Sequence, residues 1–191
     1  MVVTVPMAGF VSADKGPSGD VNQTPDYLNA RFLESRAAKR RGLAYPPDTG
    51  DRVVHQDEFV AWLESAFPDA RRDPSRTLLY SLDNEPDLWA STHPRIRPTG
   101  PVTYAEMVAR TEEWAGAIKA VAPEALVLGP VSYGWQGFVR LQNAPDAGGR
   151  DFLDFYLASM REAEGRARRR LVDVLDVHWY PEARGGGVRI T

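Results

Sequence analysis

Four short runs of apolar, strand-forming residues recur along the chain: Val2 to Pro6, 77-TLLYSLD-83, 125-ALVLGPV-131 and 171-LVDVLDVHWY-180. Near-continuous β-branched and leucine runs are what strands buried on both faces look like, so the four predict a parallel sheet. Stretches of helical period separate them. Asp57 is placed to cap a helix carrying Phe59, Val60, Leu63 and Phe67 on one face and stopping near Pro68. In 103-TYAEMVARTEEWAGAIKAVAP-123, Thr103 and Glu106 have capping-box spacing and Pro123 closes the helix. Met107, Trp114, Ile118 and Val121 form its sheet-facing stripe. A third helix is expected over 151–164, with Phe152, Phe155, Tyr156, Ser159 and Met160 turned inward. The stretch from Gly9 to Val54 reads as a long loop, with room for a short helix between Asn29 and Arg41. No repeat or linker divides the 191 residues, which predicts one domain.

Strand and helix in alternation indicate an α/β fold, either an open doubly wound sheet or a (β/α)8 barrel. Polar and aromatic residues follow strand after strand: Asn84 and Glu85 after the second, Tyr133 and Trp135 after the third, His178, Trp179 and Tyr180 at the end of the fourth. A barrel gathers its site from several strand ends in this way, whereas a nucleotide-binding sheet concentrates glycines after one strand. The only glycine cluster, Gly185 to Gly187, has no lysine or following helix to make a phosphate loop. The barrel is the better expectation.

Composition removes other classes. Without cysteine there is no disulfide, thiolate metal site or cysteine nucleophile. A net charge of -3 gives no basic footprint for nucleic acid or an anionic membrane, and the arginines of 166-RARRR-170 and the Lys39, Arg40, Arg41 run read as solvated faces. The start, MVVTVPMAGF, meets Pro6 without a charged leader region and reads as a strand rather than a signal peptide or membrane span. His55 and His93 fall in loops and, with His178, lack metal-ligand spacing, so no metal or cofactor is expected. Asp14, Asp20 and Asp26 lie in the long first loop, where solvation is the plainer reading and a structural calcium the alternative.

The second strand ends on Asp-Asn-Glu-Pro. A carboxylic acid at the C-terminal edge of a strand, with an amide beside it and a proline turning the chain away, suits protonation of a leaving-group oxygen. Glu85 is therefore the candidate acid and Asn84 a candidate donor to a sugar hydroxyl; the plainer alternative is a glutamate that merely pairs in a loop. Trp89, Trp135, Trp179, Tyr133 and Tyr180 are candidate stacking surfaces for pyranose rings, with Trp135 and Trp179 favoured and Trp62 and Trp114 left to helix faces.

The blocks TVPMAGFVSADK, VVHQDEFVAWL, YSLDNEPDLWASTHPRI and VLDVHWYP, in this order, resemble glycoside hydrolase family 44. That resemblance implies secreted, endo-acting, retaining enzymes on β-1,4-glucans and xyloglucan, with a (β/α)8 barrel joined to a β-sandwich domain. It also implies that Glu85 is the general acid/base, Asn84 its neighbouring substrate contact, and His178 a site residue beside Trp179 and Tyr180. By the same resemblance the four strands are expected to be barrel strands three to six, with the family nucleophile following strand seven. A whole barrel takes about 250 residues, so residues 1–191 are expected to form an incomplete barrel without the sandwich domain. Glu182 follows the wrong strand for the nucleophile, and Asp83 and Asp87 lie too close to Glu85 in sequence to reach the other face of a sugar. The expectation is a chain with little hydrolytic activity alone. Two alternatives stand beside it: a non-catalytic, self-associating half barrel that binds carbohydrate, and another Asn-Glu barrel glycosidase such as a mannanase or xylanase.

Overall fold

A computed structural model describes residues 1–14, 19–44, 46–48, 50–71, 73, 77–97, 99–181 and 183–190. In chain order the elements are β1 (Val2–Val5), β2 (Phe10–Ser12), α1 (Tyr27–Arg31), β3 (Phe32–Arg36), β4 (Val53–His55), α2 (Gln56–Ala66), β5 (Leu79–Leu82) and α3 (Trp89–Thr92). They continue with α4 (Tyr104–Val121), β6 (Leu126–Tyr133), α5 (Gly134–Arg140), α6 (Phe152–Ala167), β7 (Val174–His178), β8 (Ala183–Gly185) and β9 (Val188–Ile190). The four apolar runs make one parallel sheet in the order β1-β5-β6-β7. Neighbours in the sheet are thus consecutive members of the set, and right-handed crossovers in one direction place the connecting helices on the same face. Accordingly α2 packs on α4 and α4 on α6. Every strand then ends at the same edge of the sheet.

The core lies between that sheet and its helices. Val5, Tyr80, Leu82 and Val127 face Met107, Trp114, Ile118, Tyr156 and Met160, all buried. Tyr104 meets Phe152 edge-on at 5.0 Å, and Phe152 lies 5.6 Å from Tyr156; such ring pairs add roughly 0.5–1.5 kcal/mol each beyond the area they bury. At the sheet's lower end the buried Lys119 ammonium donates to the Ala125 carbonyl (2.6 Å) and to Asp173 (2.7 Å), which also accepts the Val127 N–H at 2.8 Å. This pair joins α4 to the starts of β6 and β7, and removing one partner would strand a charge in the interior.

Two-sided burial holds only for the central strands. Val2 on β1, and Val174 and Leu175 on β7, are exposed because these strands are the edges of the sheet. The stretch from Gly9 to Val54 is not a plain loop: β2, β3 and β4 pair into a second sheet, and the helix expected between Asn29 and Arg41 does not form there, since that stretch holds only the end of the short α1 before strand takes over at Phe32. Phe32, Leu33, Ser35 and Val53, Val54, His55 are short apolar-polar mixtures whose strand character comes from pairing with one another rather than from pattern.

Caps differ from the pattern in two places. Thr103 caps α4 as expected, accepting the Glu106 N–H at 3.0 Å, and α4 stops at Ala122 before Pro123. Glu106 does not close the box, because its carboxylate pairs with the Arg97 and Arg110 guanidiniums. Burial would raise that carboxyl, but the two guanidiniums outweigh it and hold it below the usual range. Asp57 is not the cap of α2. His55 occupies that position, while Asp57 sits in the first turn and turns inward to accept the Lys39 and Arg40 N–H groups, both at 2.9 Å. Lys39 likewise is no solvated charge, since it pairs with the buried Glu58 at 2.8 Å. Phe67 follows the end of α2 and is exposed. Asp14, Asp20 and Asp26 find protein partners: Arg31, the Asn22 N–H and Asn29 respectively.

The sheet tolerates no side chain at Gly129. A Cβ there would lie 2.8 Å from the hydroxyl of Tyr156, which is fully buried and bonded to Thr111 at 3.3 Å. Gly129→Ala is expected to destabilise the fold by about 1–3 kcal/mol through overpacking, read as a lower urea midpoint with an unchanged slope. A variant as stable as the parent would contradict this packing.

Candidate active site

The site is built where β5 ends. Asp83 adopts a left-handed backbone (φ 68), and its N–H still pairs with the Val5 carbonyl at 3.0 Å. Its carboxylate collects three donors: the Met7 N–H at 2.5 Å, the Asn84 N–H at 2.8 Å and the Trp89 indole at 3.3 Å. Glu85 is left-handed as well (φ 51), a conformation that costs a side chain with a long stem and persists only when held. Two bonds hold it: its N–H donates to the Val131 carbonyl (3.0 Å) and its carbonyl accepts the Leu88 N–H (2.9 Å). Val131 is itself a buried β-branched residue at φ 60, and the pairing of β6 with β7 skips it between Pro130 and Ser132. This is a β-bulge, the device that frees one carbonyl from a ladder and re-aims the side chains beyond it.

The Glu85 carboxyl is half-buried and one of its oxygens takes two contacts. Oε1 lies 2.8 Å from His178 Nδ1 and accepts the Tyr180 hydroxyl at 2.5 Å. An ionised Glu85 places the His178 proton on Nδ1. Among the described residues Oε2 has no hydrogen-bond partner. The bond to Glu85 raises the Tyr180 phenol above its ordinary 10.0, because ionising it would set two negative charges side by side. Asn84 is exposed beside them, its side-chain amide without a partner among the described residues. Three candidates from two distant segments, Glu85, His178 and Tyr180, are thus brought together, with Asn84 alongside.

Aromatic residues wall one side. Tyr133, Gly134, Trp135, Gln136, Gln142, Trp179 and Tyr180 line a cavity of about 410 Å³. Tyr133 and Tyr180 pack at 4.9 Å, Trp179 stacks on Phe138 at 6.1 Å, and Trp135 meets Trp179 edge-on at 6.1 Å. Trp135 and Trp179 are each 61% exposed, the degree expected of rings that wait for a ligand rather than fill a core. Trp89 is the exception among the stacking candidates. It is wholly buried, its indole bonded to Asp83 and its face covered by Arg97 (5.7 Å) and Arg110 (5.5 Å), so it supports the turn and cannot meet a sugar. Glu182 lies outside the described residues.

Larger hollows elsewhere have none of these aromatic residues in their linings, among them one of about 760 Å³ between Phe10, Phe32, Arg97 and Trp114. Another of about 810 Å³ lies along β1 between Pro46, Pro47, Phe59 and Trp62, and one of about 460 Å³ lies at the far end of the sheet by Met1 and Phe67. The strand-end cavity is smaller, but Tyr180, bonded to Glu85, lines it. Pattern reading missed the residues that build it: Asp83, Asp87 and Gln142. The acidic bracket around Asn84 and Glu85 was visible in DNEPD; Gln142 has no sequence signal.

Replacing Glu85 with glutamine removes the charge that opposes the Tyr180 phenolate. The Tyr180 phenol of Glu85→Gln is expected to ionise closer to 10.0 than that of the parent, followed by NMR of the ring carbons across alkaline pH. Identical titrations in the two proteins would mean that the Tyr180–Glu85 bond is absent in solution.

The model of glycoside hydrolase family 44 matches residues 1–183. A β-mannanase/endoglucanase A of Caldicellulosiruptor saccharolyticus is 43% identical over 98% of the chain, and an endoglucanase A of Paenibacillus lautus is 40% identical over 99%. A family 44 xyloglucanase of Paenibacillus polymyxa, solved with xyloglucan, superposes on the whole chain with a TM-score of 0.87 at 42% identity. The chain spans 14% and 27% of the two curated relatives and 37% of the xyloglucanase. With the family's model running through β1, β5, β6 and β7 and through both Glu85 and His178, the chain belongs to glycoside hydrolase family 44.

Proposed function

We propose that this chain is the acid/base-bearing part of a retaining, endo-acting β-1,4-glucanase whose substrates include xyloglucan. The carrying observation is the Glu85 carboxyl at the C-terminal edge of a parallel sheet, clamped on Oε1 by His178 and Tyr180 beside exposed tryptophans. In this reading protonated Glu85 gives its proton to the glycosidic oxygen as the bond to the anomeric carbon breaks. As carboxylate it then takes a proton from the water that releases the glycosyl-enzyme. His178 and Tyr180 hold Oε1, so the proton travels through Oε2. Asn84 donates to a sugar hydroxyl, and Trp135 and Trp179, with Tyr180 at their base, carry pyranose rings.

A retaining enzyme needs a second carboxyl about 5–5.5 Å from the first to attack the anomeric carbon. Asp83 and Asp87 are consumed by backbone and side-chain donors, so neither is free to be that nucleophile. The four parallel strands are read as strands three to six of a (β/α)8 barrel, whose singly wound order they share. The nucleophile and the companion β-sandwich domain are assigned to the further length that the relatives possess. Polymeric glucan does not cross a membrane, which favours an extracellular site of action. The exposed apolar edges at Val2 and at Val174 and Leu175 favour association with further chain or with another copy. A second reading, β-mannan as substrate, is favoured by the name of the Caldicellulosiruptor relative.

Calorimetric titration of the purified chain with cellohexaose, xyloglucan oligosaccharide and mannohexaose tests the assignment. Glucan oligosaccharides are expected to bind, with Trp135→Ala and Trp179→Ala each weakening affinity about 3- to 10-fold, and reducing ends are not expected to accumulate. Preference for mannohexaose moves the assignment to the second reading. Rapid turnover would place a nucleophile within this chain, and no affinity for any of the three would sink the carbohydrate reading.

A further inference from the structure

Asp87 takes no part in the proposed proton cycle, yet it is one of the most fully engaged carboxylates in the fold. It is 4% exposed. The Tyr133 N–H lies 3.0 and 3.1 Å from its two oxygens, and the Gln142 amide donates to Oδ2 at 3.0 Å and to the Tyr133 carbonyl at 2.9 Å. Gly137 passes so close that a Cβ there would lie 2.6 Å from Asp87 Oδ2. Gln142 is left-handed (φ 54), between Leu141 (φ 45) and Asn143 (φ 61). Three consecutive side-chain-bearing residues in that region persist only when the surroundings hold them. Burial pushes the Asp87 carboxyl above its ordinary range, against the pull of Gln142 and the Tyr133 N–H, and the neighbouring Glu85 pushes the same way.

The partners of Asp87 are the wall of the cavity. Tyr133 and Gln142 both line it, and Trp135 follows Tyr133 by two residues. Asp87 follows Glu85 by two residues on a turn that Pro86 stiffens. We infer that Asp87, acting through Gln142, is a positioning residue that fixes the Tyr133–Trp135 wall against the Glu85 carboxyl and so sets where a sugar ring rests relative to the proton donor. This deepens the carbohydrate reading and rests on it.

Asp87→Asn and Gln142→Met separate the latch from that reading. In Asp87→Asn an amide N–H faces the Gln142 amide or the Tyr133 N–H, and in Gln142→Met the shape is nearly kept without the donor. Amide hydrogen exchange and cellohexaose titration are read on the full 191-residue chain. The expected result is exchange at the Tyr133 amide about tenfold faster or more in Asp87→Asn and severalfold faster in Gln142→Met, which keeps the Asp87–Tyr133 bond but frees the loop behind it, with little change at Val127 in the middle of the sheet. Oligosaccharide affinity falls about 3- to 10-fold in parallel while Glu85 keeps its bond to His178. Unchanged Tyr133 exchange overturns the latch, and faster exchange with unaltered affinity overturns its role in positioning. If Asp87→Asn fails to fold, Gln142→Met, which leaves the buried carboxylate its Tyr133 donor, decides between the same outcomes. If the parent itself binds no oligosaccharide, the carbohydrate reading fails and takes the positioning role with it, while Tyr133 exchange still reports whether the latch exists.

Discussion

Three N–H groups converge on the carboxylate of Asp83, and the rest of the site is arranged around that convergence. The Met7 N–H comes from just beyond β1, the Asn84 N–H from the turn itself and the indole N–H from Trp89. One buried anion therefore joins the ends of two neighbouring strands and pins the helix after the turn. Charge-assisted bonds to a group taken out of water are among the stronger polar contacts a protein makes, and losing any one leaves a desolvated charge short of partners. The left-handed backbone at Asp83 and again at Glu85 is strain that this convergence offsets. Its consequence is a chain that bends at Asn84, straight after the strand, and brings the Glu85 carboxyl to His178 and Tyr180.

The same logic repeats at β6. A bulge at Val131 surrenders one ladder position so that its carbonyl can receive the Glu85 N–H, and the displaced strand carries Tyr133 to the Asp87 carboxylate. β7 then brings His178 and, just past its end, Tyr180 to the Glu85 carboxyl. Three successive strand ends thus each contribute to one carboxyl: backbone support, an aromatic wall and two side-chain contacts. A parallel sheet makes this possible, because all its strands finish at one edge. Since Val2 on β1 and Val174 and Leu175 on β7 remain exposed at the edges, the sheet carries more hydrophobic strand surface than its own helices cover.

Much of this was legible in the residues. The four apolar runs, the helices over 103–123 and from Asp151, and the polar strand ends were readable because long periodic elements state themselves in pattern. Glu85, His178 and Tyr180 were legible singly as candidates, the first from the Asn-Glu-Pro turn, the second from the family resemblance and the third as an aromatic at a strand end. That one oxygen of Glu85 would serve both others could not be read, since 93 residues separate Glu85 from His178. Pattern failed where pairing or tertiary bonding decides. Strands β2 to β4 are three to five residues long and exist because they pair. Asp57 looks like a cap until one sees that the 37–40 segment needs its carboxylate more than the helix does. Trp89 has the position of a sugar platform but the burial of a core residue, because Asp83 and two arginines claim it. Asp87 and Gln142 escaped because a latch between two loops leaves no periodicity.

The central claim is that Glu85 is the acid/base of a retaining glycosidase, and azide rescue tests it most directly. In the chain joined to the further length its family relatives carry, Glu85→Ala would still form the glycosyl-enzyme from a substrate with an activated leaving group but would lack a base to deglycosylate it. Azide, which needs no base, should then restore turnover and yield the β-configured glycosyl azide. An α-configured azide would make Glu85 the nucleophile instead, and full activity of Glu85→Ala on unactivated glucan would remove it from the chemistry altogether.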